Sequence, residues 1–162
     1  MTATTSRKPA EARPWMKAHP GGTVVELGVG LETQFQRCDD GQVRWLCIDV
    51  PEAMAVRDRF IKPTQRSRHI ARSALDPSWM DQVDAPRGLF VTAQGLFMYF
   101  HEQDVRRLLV AVIERFPGVE IMLDVTPPWF SRKTLALVLK DCAATPGLRD
   151  MPPCIVHVRT EG

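Results

Sequence analysis

Two glycines and two carboxylates in the first third of the chain have the types and spacing of a nucleotide-type ligand site. Glu26, Gly28 and Gly30 directly follow the apolar run Thr23–Val25, and Asp49 ends a second apolar run about 20 residues further on. Glycines let a chain turn sharply after a buried strand and let a ligand approach bare backbone amides. A carboxylate at this distance commonly binds the two hydroxyls of a ribose in doubly wound sheets. We therefore predict that Asp49 binds ribose and that the glycine turn faces the ligand.

The acidic residues near this turn favour a cationic ligand over a dinucleotide. A dinucleotide fingerprint would have a third glycine where the chain has Thr33, and Glu32 would bring negative charge near a pyrophosphate. Glu26 instead suits a ligand that carries positive charge and no phosphate, and S-adenosylmethionine carries both an amine and a sulfonium. These residues leave three interpretations open: S-adenosylmethionine, the less suitable NAD, and a strand, turn and helix that bind no ligand.

The composition is that of one ordinary globular domain. The chain has 162 residues, of which 44% are hydrophobic and 25% charged. Its net charge of +2 and scattered basic residues give no basis for binding nucleic acid. The densest basic group, Arg66, Arg68 and Arg72, could touch an anionic substrate, but a solvated strand edge explains it better.

The cysteines and the N-terminal residues indicate a cytoplasmic protein without a metal site. Cys38, Cys47, Cys142 and Cys154 have no C-x-x-C spacing and no histidines arranged beside them as zinc ligands. Residues Met1–Arg13 are polar and basic and lack the apolar core of a secretory signal. Because no uninterrupted apolar stretch is long enough to span a bilayer, we also expect no membrane association.

Short apolar runs alternate with helical patterns, which is typical of a mostly parallel sheet with helices on both faces. The predicted strands are Thr23–Leu27, Arg44–Ile48, Arg68–Ala71, Leu89–Ala93, Val119–Asp124 and Cys154–Val158. The predicted helices are Pro9–Ala18, Glu52–Phe60, Glu102–Phe116 and Trp129–Leu139. We expect Met1–Arg7 to be disordered. The pattern divides the chain into a flexible or helical segment, residues 1–21, and a doubly wound α/β domain, residues 22–162.

Four segments, in order, resemble the motifs of the leucine carboxyl methyltransferase family, whose bacterial branch includes tetracenomycin polyketide O-methyltransferases. They are residues 24–37 with the glycine turn, 45–51 with an aspartate and a following proline, 73–79 after the third strand, and 93–100, which resembles an E-G-x-x-M-Y-L stretch. The resemblance runs from about Gly22 to about Lys133. It implies a Rossmann-like methyltransferase that uses S-adenosylmethionine, with a place in polyketide or other secondary metabolism.

The resemblance also implies the residues that bind the cofactor. Carried over by position, they are Glu26, Gly28, Gly30, Asp49, Ser73, Ala74 and Gln94. Glu26 and the glycines would face the methionine part and ribose, Asp49 the ribose hydroxyls, and Ser73 with Ala74 the adenine edge. Gln94 would lie beside the amino acid part, where the family commonly has glutamate. An amide keeps a hydrogen bond there but loses the charge that would pair with the ligand's ammonium.

Two further departures concern the first motif and the ends of the chain. The family commonly has aspartate and arginine where this sequence has Glu32 and Gln34. Family members also carry a longer helical stretch before the first motif, and they continue into two antiparallel strands after the last. We therefore expect a shortened member whose fold is incomplete at both ends. Apolar surface exposed around the cleft would then favour self-association.

Methyl transfer from a sulfonium requires alignment more than acid–base chemistry, because the leaving group is already activated. A carboxylate acceptor arrives ionised, whereas a hydroxyl would need a base. His101 is a weak candidate base, and it could equally be a surface or capping residue. Tyr99 could border the sulfonium through its ring face or be a core aromatic. We expect an O-methyltransferase for a small-molecule hydroxyl or a carboxyl group; the alternative is a catalytically inactive remnant that binds cofactor or is purely structural.

Overall fold

The structure, a computed structural model, describes residues 2–6, 12–125 and 154–159. In this part of the chain the strands are β1 (Thr2–Ser6), β2 (Thr23–Leu27), β3 (Arg44–Asp49), β4 (Ser67–Ala71), β5 (Leu89–Ala93), β6 (Glu120–Val125) and β7 (Cys154–Arg159). The helices are α1 (Arg13–Ala18), α2 (Gln34–Cys38), α3 (Pro51–Phe60) and α4 (Glu102–Arg115). Two 3₁₀ turns follow β4 and β5, at Pro77–Gln82 and Phe97–Tyr99.

The described strands form one sheet in the order β1-β7-β6-β5-β2-β3-β4. Strands β2 to β6 are all parallel to one another, whereas β7 is antiparallel to both β6 and β1. The chain proceeds from β2 outward through β3 to β4, and then returns to the other side of β2 to form β5. This reversal opens a crevice at the carboxyl ends of β2 and β5, which is where ligands bind in open α/β sheets. The predicted doubly wound, mostly parallel fold is confirmed.

The central strands are buried on both faces. Every residue of β2 and β5 is buried, as expected for parallel strands that helices cover on both sides. Because successive side chains of a strand point to opposite faces, Val25 and Leu27 enter one core and Val24 enters the other. The first core contains Trp79 and the buried residues of α4, which are Val105, Leu108 and Val112, whereas the second contains residues of α1, α2 and α3.

The predicted elements that lie in the described residues agree closely with the structure. Each predicted strand is within one residue of the observed one at both ends, and so are the helices predicted over Glu52–Phe60 and Glu102–Phe116. The helix predicted from Pro9 begins at Arg13, and the helix predicted over Trp129–Leu139 lies outside the described residues. Helix α2 and the two 3₁₀ turns are too short to show a hydrophobic period, which is why the sequence does not reveal them.

The expectation that Met1–Arg7 is disordered is wrong over Thr2–Ser6. These residues form β1, which pairs with β7 in the register Thr2↔Arg159 to Ser6↔Ile155. Threonine, which occurs three times in β1, is β-branched and suits an extended strand. The partner strand lies at the other end of the sequence, so no local pattern could indicate the pairing.

The loop after β4 is fastened to the first core by Trp79. This side chain is fully buried, and its Nε1 atom donates a hydrogen bond of 3.0 Å to the carbonyl oxygen of Ala74. Asp76 caps the 3₁₀ turn, because its Oδ1 atom accepts from the amide of Ser78 at 3.0 Å. The loop that is predicted to meet the adenine edge is therefore positioned from within the core.

Replacing Trp79 with phenylalanine should destabilise the fold. Trp79→Phe removes the donor to Ala74 and leaves space in the core, so we expect the free energy of unfolding to fall by about 2 to 3 kcal/mol. Urea denaturation followed by circular dichroism measures this change. Phe60→Leu is the control, because Phe60 is 73% exposed and should change stability by less than about 0.5 kcal/mol. An unchanged midpoint for Trp79→Phe would contradict the supporting role of the indole.

Candidate active site

The two glycines of the turn after β2 have different surroundings. Both have positive φ, +64° for Gly28 and +47° for Gly30, a conformation that favours glycine. A Cβ atom on Gly28 would lie only 2.7 Å from Cδ1 of Leu96, whereas a Cβ atom on Gly30 would meet nothing within 4 Å. Gly28 thus allows close packing against the loop after β5. Gly30 borders open space, as a residue that approaches a ligand should.

Asp49 lies directly against the glycine turn, as its spacing predicts. Its Oδ2 atom accepts a hydrogen bond of 2.7 Å from the amide of Gly30, and its Oδ1 atom accepts one of 2.8 Å from the amide of Val50. The amides of Gly28 and Val29 donate to the carbonyl of Ile48 at 2.8 and 3.3 Å. Each carboxylate oxygen retains a second lone pair, so Asp49 can still accept from two hydroxyls of a ligand.

Glu26 lies beneath the turn rather than on its surface. The residue is only 3% exposed, and its Oε2 atom accepts a hydrogen bond of 2.9 Å from Nε1 of Trp45. Burial raises the pKa of Glu26 to about 7, although the bond from Trp45 and the positive charge of Arg57 act in the opposite direction. Near neutral pH this carboxyl is therefore divided between its two protonation states.

Of the three remaining predicted cofactor residues, Ser73 and Gln94 are partly exposed and Ala74 is buried. Ala74 is 4% exposed and belongs to the first core, whereas Ser73 is partly exposed and its Oγ atom accepts from the amide of Leu75 at 3.2 Å. Gln94 follows β5 and so lies at the switch point of the sheet. Its Nε2 atom is buried and has no hydrogen-bond partner among the described residues. The structure thus leaves one buried donor of Gln94 without a partner at the end of β5.

Tyr99 is not a core aromatic. It is 78% exposed, and Phe97 at 3% exposure fills the core in its place. The reason is the 3₁₀ turn, in which residues three apart lie above one another, so that Phe97 and Phe100 face the core and Tyr99 does not. His101 is exposed at the start of α4 and makes no side-chain capping bond, although its carbonyl accepts from the helix.

Asp124 is a candidate residue that the sequence reasoning missed. It lies near the end of β6, and both of its carboxylate oxygens accept from the amide of Gly95, at 2.9 and 2.8 Å. Burial raises the pKa of Asp124. Gly95 has a φ of +63°, and a Cβ atom on it would meet nothing within 4 Å. The available signal was the one used for Asp49, an acidic residue at the end of a buried strand.

Arg57 is the second residue that the sequence reasoning missed. It is fully buried on α3, one turn from the buried Met54, and its Nη1 atom donates to the carbonyls of Gly30 and Glu32 at 3.0 and 2.7 Å. Glu32 also has an exposed arginine as a partner: Nη1 of Arg37, on α2, donates to Oε1 of Glu32 at 2.6 Å. An arginine on the apolar face of a predicted helix was the signal that could have identified Arg57.

The basic group near β4 is occupied by side chains of the protein. Arg66 forms two bonds with one carboxylate, Arg68 bonds an amide, and Arg72 bonds both a carboxylate and a hydroxyl. Arg66 thus bonds Asp39, and Arg68 bonds Gln82. Arg72 bonds Asp76 and Ser78. The group is therefore a strand edge with local partners. In the described ranges there is also no cluster of three metal-ligating side chains, and none of the helices there could cross a membrane.

Solved structures of methyltransferases share this fold. The N-methyltransferase NodS from Bradyrhizobium japonicum WM9 superposes with a TM-score of 0.60 and 11% identity, covering 91% of this chain and 90% of NodS. The magnesium protoporphyrin IX methyltransferase ChlM from Synechocystis PCC 6803 superposes with a TM-score of 0.61 and 12% identity, covering 93% of this chain and 76% of ChlM. At these identities the likeness concerns the fold alone.

The sequence comparison identifies a family. No protein-family model matches the chain. The tetracenomycin polyketide synthesis O-methyltransferase TcmP of Streptomyces glaucescens is 32% identical to it over 119 residues, which are 73% of this chain and 44% of TcmP. The chain thus spans less than half the length of this curated relative. With its ordered motifs and its fold, the chain belongs to the leucine carboxyl and tetracenomycin polyketide O-methyltransferase family of class I S-adenosylmethionine-dependent methyltransferases.

Proposed function

We propose that this chain binds S-adenosylmethionine and transfers its methyl group to an oxygen of a small-molecule hydroxyl or a carboxyl group. The observation that carries the proposal is the contact between Asp49 and Gly30 at the switch point of the sheet, at 2.7 Å. Relatives support the choice of ligand and reaction, because TcmP is an O-methyltransferase, ChlM contains bound S-adenosylmethionine, and NodS has been solved with S-adenosyl-L-homocysteine.

The chemistry of the crevice fits this cofactor. Asp49 would accept from the ribose hydroxyls, and the open space at Gly30 would admit the ribose and the methionine part. The side-chain amide of Gln94, whose buried Nε2 atom has no partner among the described residues, would lie beside the amino acid part of the cofactor. Leu31 and Val50, 54% and 41% exposed, offer apolar surface beside the turn for the adenine.

The bound cofactor supplies a methyl group on a sulfonium that is ready for displacement. The residues of this chain would hold that group in line with the acceptor oxygen and exclude water. A carboxylate acceptor needs no base, whereas a hydroxyl acceptor would give its proton to a base at the carboxyl edge of the sheet. Asp124 and His101 are the candidates, and the raised pKa of Asp124 makes it a better proton acceptor than an ordinary aspartate.

Three exposed apolar side chains lie near the proposed crevice, where they could contact an acceptor molecule or a second copy of the chain. Leu31 follows the glycine turn, Val50 follows β3, and Tyr99 lies in the turn after β5. They would contact an apolar acceptor, and they would also favour self-association when the acceptor is absent. We place the reaction in the cytoplasm, with a small molecule or a carboxyl-bearing molecule as the partner.

Removing the Asp49 carboxylate should weaken cofactor binding. We expect Asp49→Ala to lose two charge-assisted hydrogen bonds and about 2 kcal/mol, which raises the dissociation constant of S-adenosylmethionine roughly 30-fold. Isothermal titration measures the constant, with NAD as a ligand that should give no saturable heat. Asp81→Ala is the matched control, because Asp81 is exposed on the 3₁₀ turn after β4. No saturable heat with the folded parent chain would remove the basis of the proposal.

Restoring the family's carboxylate at position 94 should strengthen binding and turnover. We expect Gln94→Glu to lower the dissociation constant of S-adenosylmethionine about tenfold, because a carboxylate pairs with the ligand's ammonium. The same variant should raise methyl transfer to a panel of phenols and carboxylic acids. Gln103→Glu, at an exposed position on α4, controls for the added charge. Tighter binding without any transfer by either protein would favour the inactive remnant over the enzyme.

Glu26 should reduce stability at alkaline pH. Its pKa of about 7 in the folded protein lies above the ordinary value of 4.5, so the folded state keeps its proton longer than the unfolded chain does. The stability associated with that proton is fully present below pH 4.5 and is lost as the pH rises through about 7. At pH 8 we therefore expect Glu26→Gln to raise the free energy of unfolding, by up to about 3 kcal/mol, and to weaken binding of the cationic cofactor.

Urea denaturation at pH 8 and pH 5, together with isothermal titration, measures both effects of Glu26→Gln. The amide oxygen of glutamine can still accept from Trp45, so the change is confined to charge. Glu52→Gln, at an exposed position in the first turn of α3, is the control. A gain in stability that is equal at both pH values would contradict the titration of Glu26 near neutrality.

A further inference from the structure

One side chain joins the glycine turn to the loop that follows β5. A Cβ atom on Gly28 would lie 2.7 Å from Cδ1 of Leu96 and 3.1 Å from its Cδ2 and Cγ atoms. The isobutyl group of Leu96 thus occupies the space that a side chain at position 28 would need. Leu96 is partly buried and also packs against the first core. The turn proposed to bind the cofactor is therefore in contact with the loop on the other side of the switch point.

The backbone on the two sides of Leu96 is supported differently. After it, the amide of Tyr99 donates to the carbonyl of Leu96 at 3.1 Å, and Phe97, 3% exposed, lies in the first core. Before it, Gly95 is exposed, has a φ of +63°, and would place a Cβ atom within 4 Å of nothing. Because a glycine without packed neighbours rotates easily, Gly95 is the point of the loop that most needs support from elsewhere.

Asp124 supplies that support. Its two carboxylate oxygens accept from the amide of Gly95 at 2.9 and 2.8 Å. The last paired residues of β5 and β6 are Ala93 and Leu123, so the regular pairing of these strands ends one residue before Asp124. The carboxylate therefore connects β6 to the loop at the point where the strand pairing stops. A hydrogen bond to an ionised acceptor is also stronger than one between neutral groups.

We propose that Asp124 is a positioning residue for the cofactor site. It fixes Gly95, which keeps Leu96 against Gly28, and the packed turn presents an ordered surface to the ligand. Without the carboxylate, Gly95 rotates, Leu96 leaves Gly28, and the affinity for cofactor falls. The inference rests on the proposed function for the identity of the ligand, whereas the coupling between the two loops is a property of the chain alone.

A positioning role differs measurably from proton transfer at the same residue. A base for a hydroxyl acceptor acts on the reacting atoms, so its removal lowers turnover and leaves the binding of an unreactive ligand unchanged. S-adenosyl-L-homocysteine has no methyl group to transfer and needs no base. Its dissociation constant therefore responds to the positioning role of Asp124 and not to a role in proton transfer.

The first test compares two substitutions of Asp124, with S-adenosyl-L-homocysteine as the probe in isothermal titration. The amide oxygen of Asp124→Asn can still accept from Gly95, whereas Asp124→Ala has no acceptor. We expect Asp124→Ala to raise the dissociation constant about tenfold and Asp124→Asn to stay within about threefold of the parent chain. Asp81→Ala is the matched control, because Asp81 is exposed and far from the loop in sequence; it should leave the constant unchanged.

A double-mutant cycle tests whether Asp124 acts through Leu96. Leu96→Ala removes the contact with Gly28 and should also raise the dissociation constant about tenfold. If both residues act through that contact, the double variant should bind about as weakly as either single one, instead of roughly 100-fold more weakly than the parent chain. Leu109→Ala, which removes a partly buried leucine of α4 from the same core, should lower stability without changing the constant.

A second measurement needs no ligand. In ¹⁵N-labelled protein the amide resonance of Gly28 should shift in Asp124→Ala and keep its position in Asp124→Asn and Leu109→Ala. If it does so but the parent chain does not bind the probe, the proposed function fails and the coupling stands.

Three results overturn the inference. They are an unchanged Gly28 resonance in Asp124→Ala, equally weak binding by Asp124→Asn and Asp124→Ala, and losses of affinity that add in the double variant. If Asp124→Ala does not fold, Leu96→Ala still tests the contact, and full affinity in a folded Leu96→Ala also overturns the inference.

Discussion

The hydrogen bond from the amide of Gly30 to Asp49 joins the ends of β2 and β3 and defines the candidate site. It exists because β2 and β3 are parallel neighbours, so the loops that follow them emerge at the same edge of the sheet. A second pair of the same kind, Gly95 with Asp124, joins the ends of β5 and β6. In both pairs a strand-end carboxylate satisfies an amide of the adjacent turn, where regular strand pairing has ended. The edge that would receive a ligand is therefore organised before any ligand arrives.

The site also depends on charges that lie beneath it. Glu26 and Arg57 are both buried, one bonded to an indole and the other to backbone carbonyls of the turn. Burying them opposes folding, since ions lose their hydration in a protein interior. An apolar core would be more stable here, but it would present neither a negative charge toward a cationic ligand nor a clamp on the turn. Two residues of the second core contact these charged side chains directly, because Trp45 bonds Glu26 and Cys47 contacts Arg57.

Most of the fold could be predicted because it depends on local patterns. The apolar runs Thr23–Leu27 and Leu89–Ala93 match β2 and β5 at both ends. The spacing between Asp49 and the glycines correctly predicted that Asp49 lies against the glycine turn. The residues that were missed act across elements. Arg57 resembles any arginine of a surface helix until its Nε atom is seen to donate a hydrogen bond to Nε2 of His69 on β4. The exposure of Tyr99 could not be predicted, because the sequence does not show whether residues 97–99 form a 3₁₀ turn or the first turn of an α-helix. The side chain of Tyr99 would point in a different direction in each case.

The pairing of β1 with β7 joins residues that are far apart in the sequence, whereas the candidate site is formed by residues that are closer together in it. Thr2 and Arg159 are neighbours in the sheet although nearly the whole chain lies between them. Closing so long a loop costs entropy that shorter contacts do not, and contacts between distant residues slow folding. Every residue of the candidate site lies between β2 and β6 and uses shorter loops. The crevice can therefore form early in folding, while the outer strands join a sheet whose chemistry is already in place.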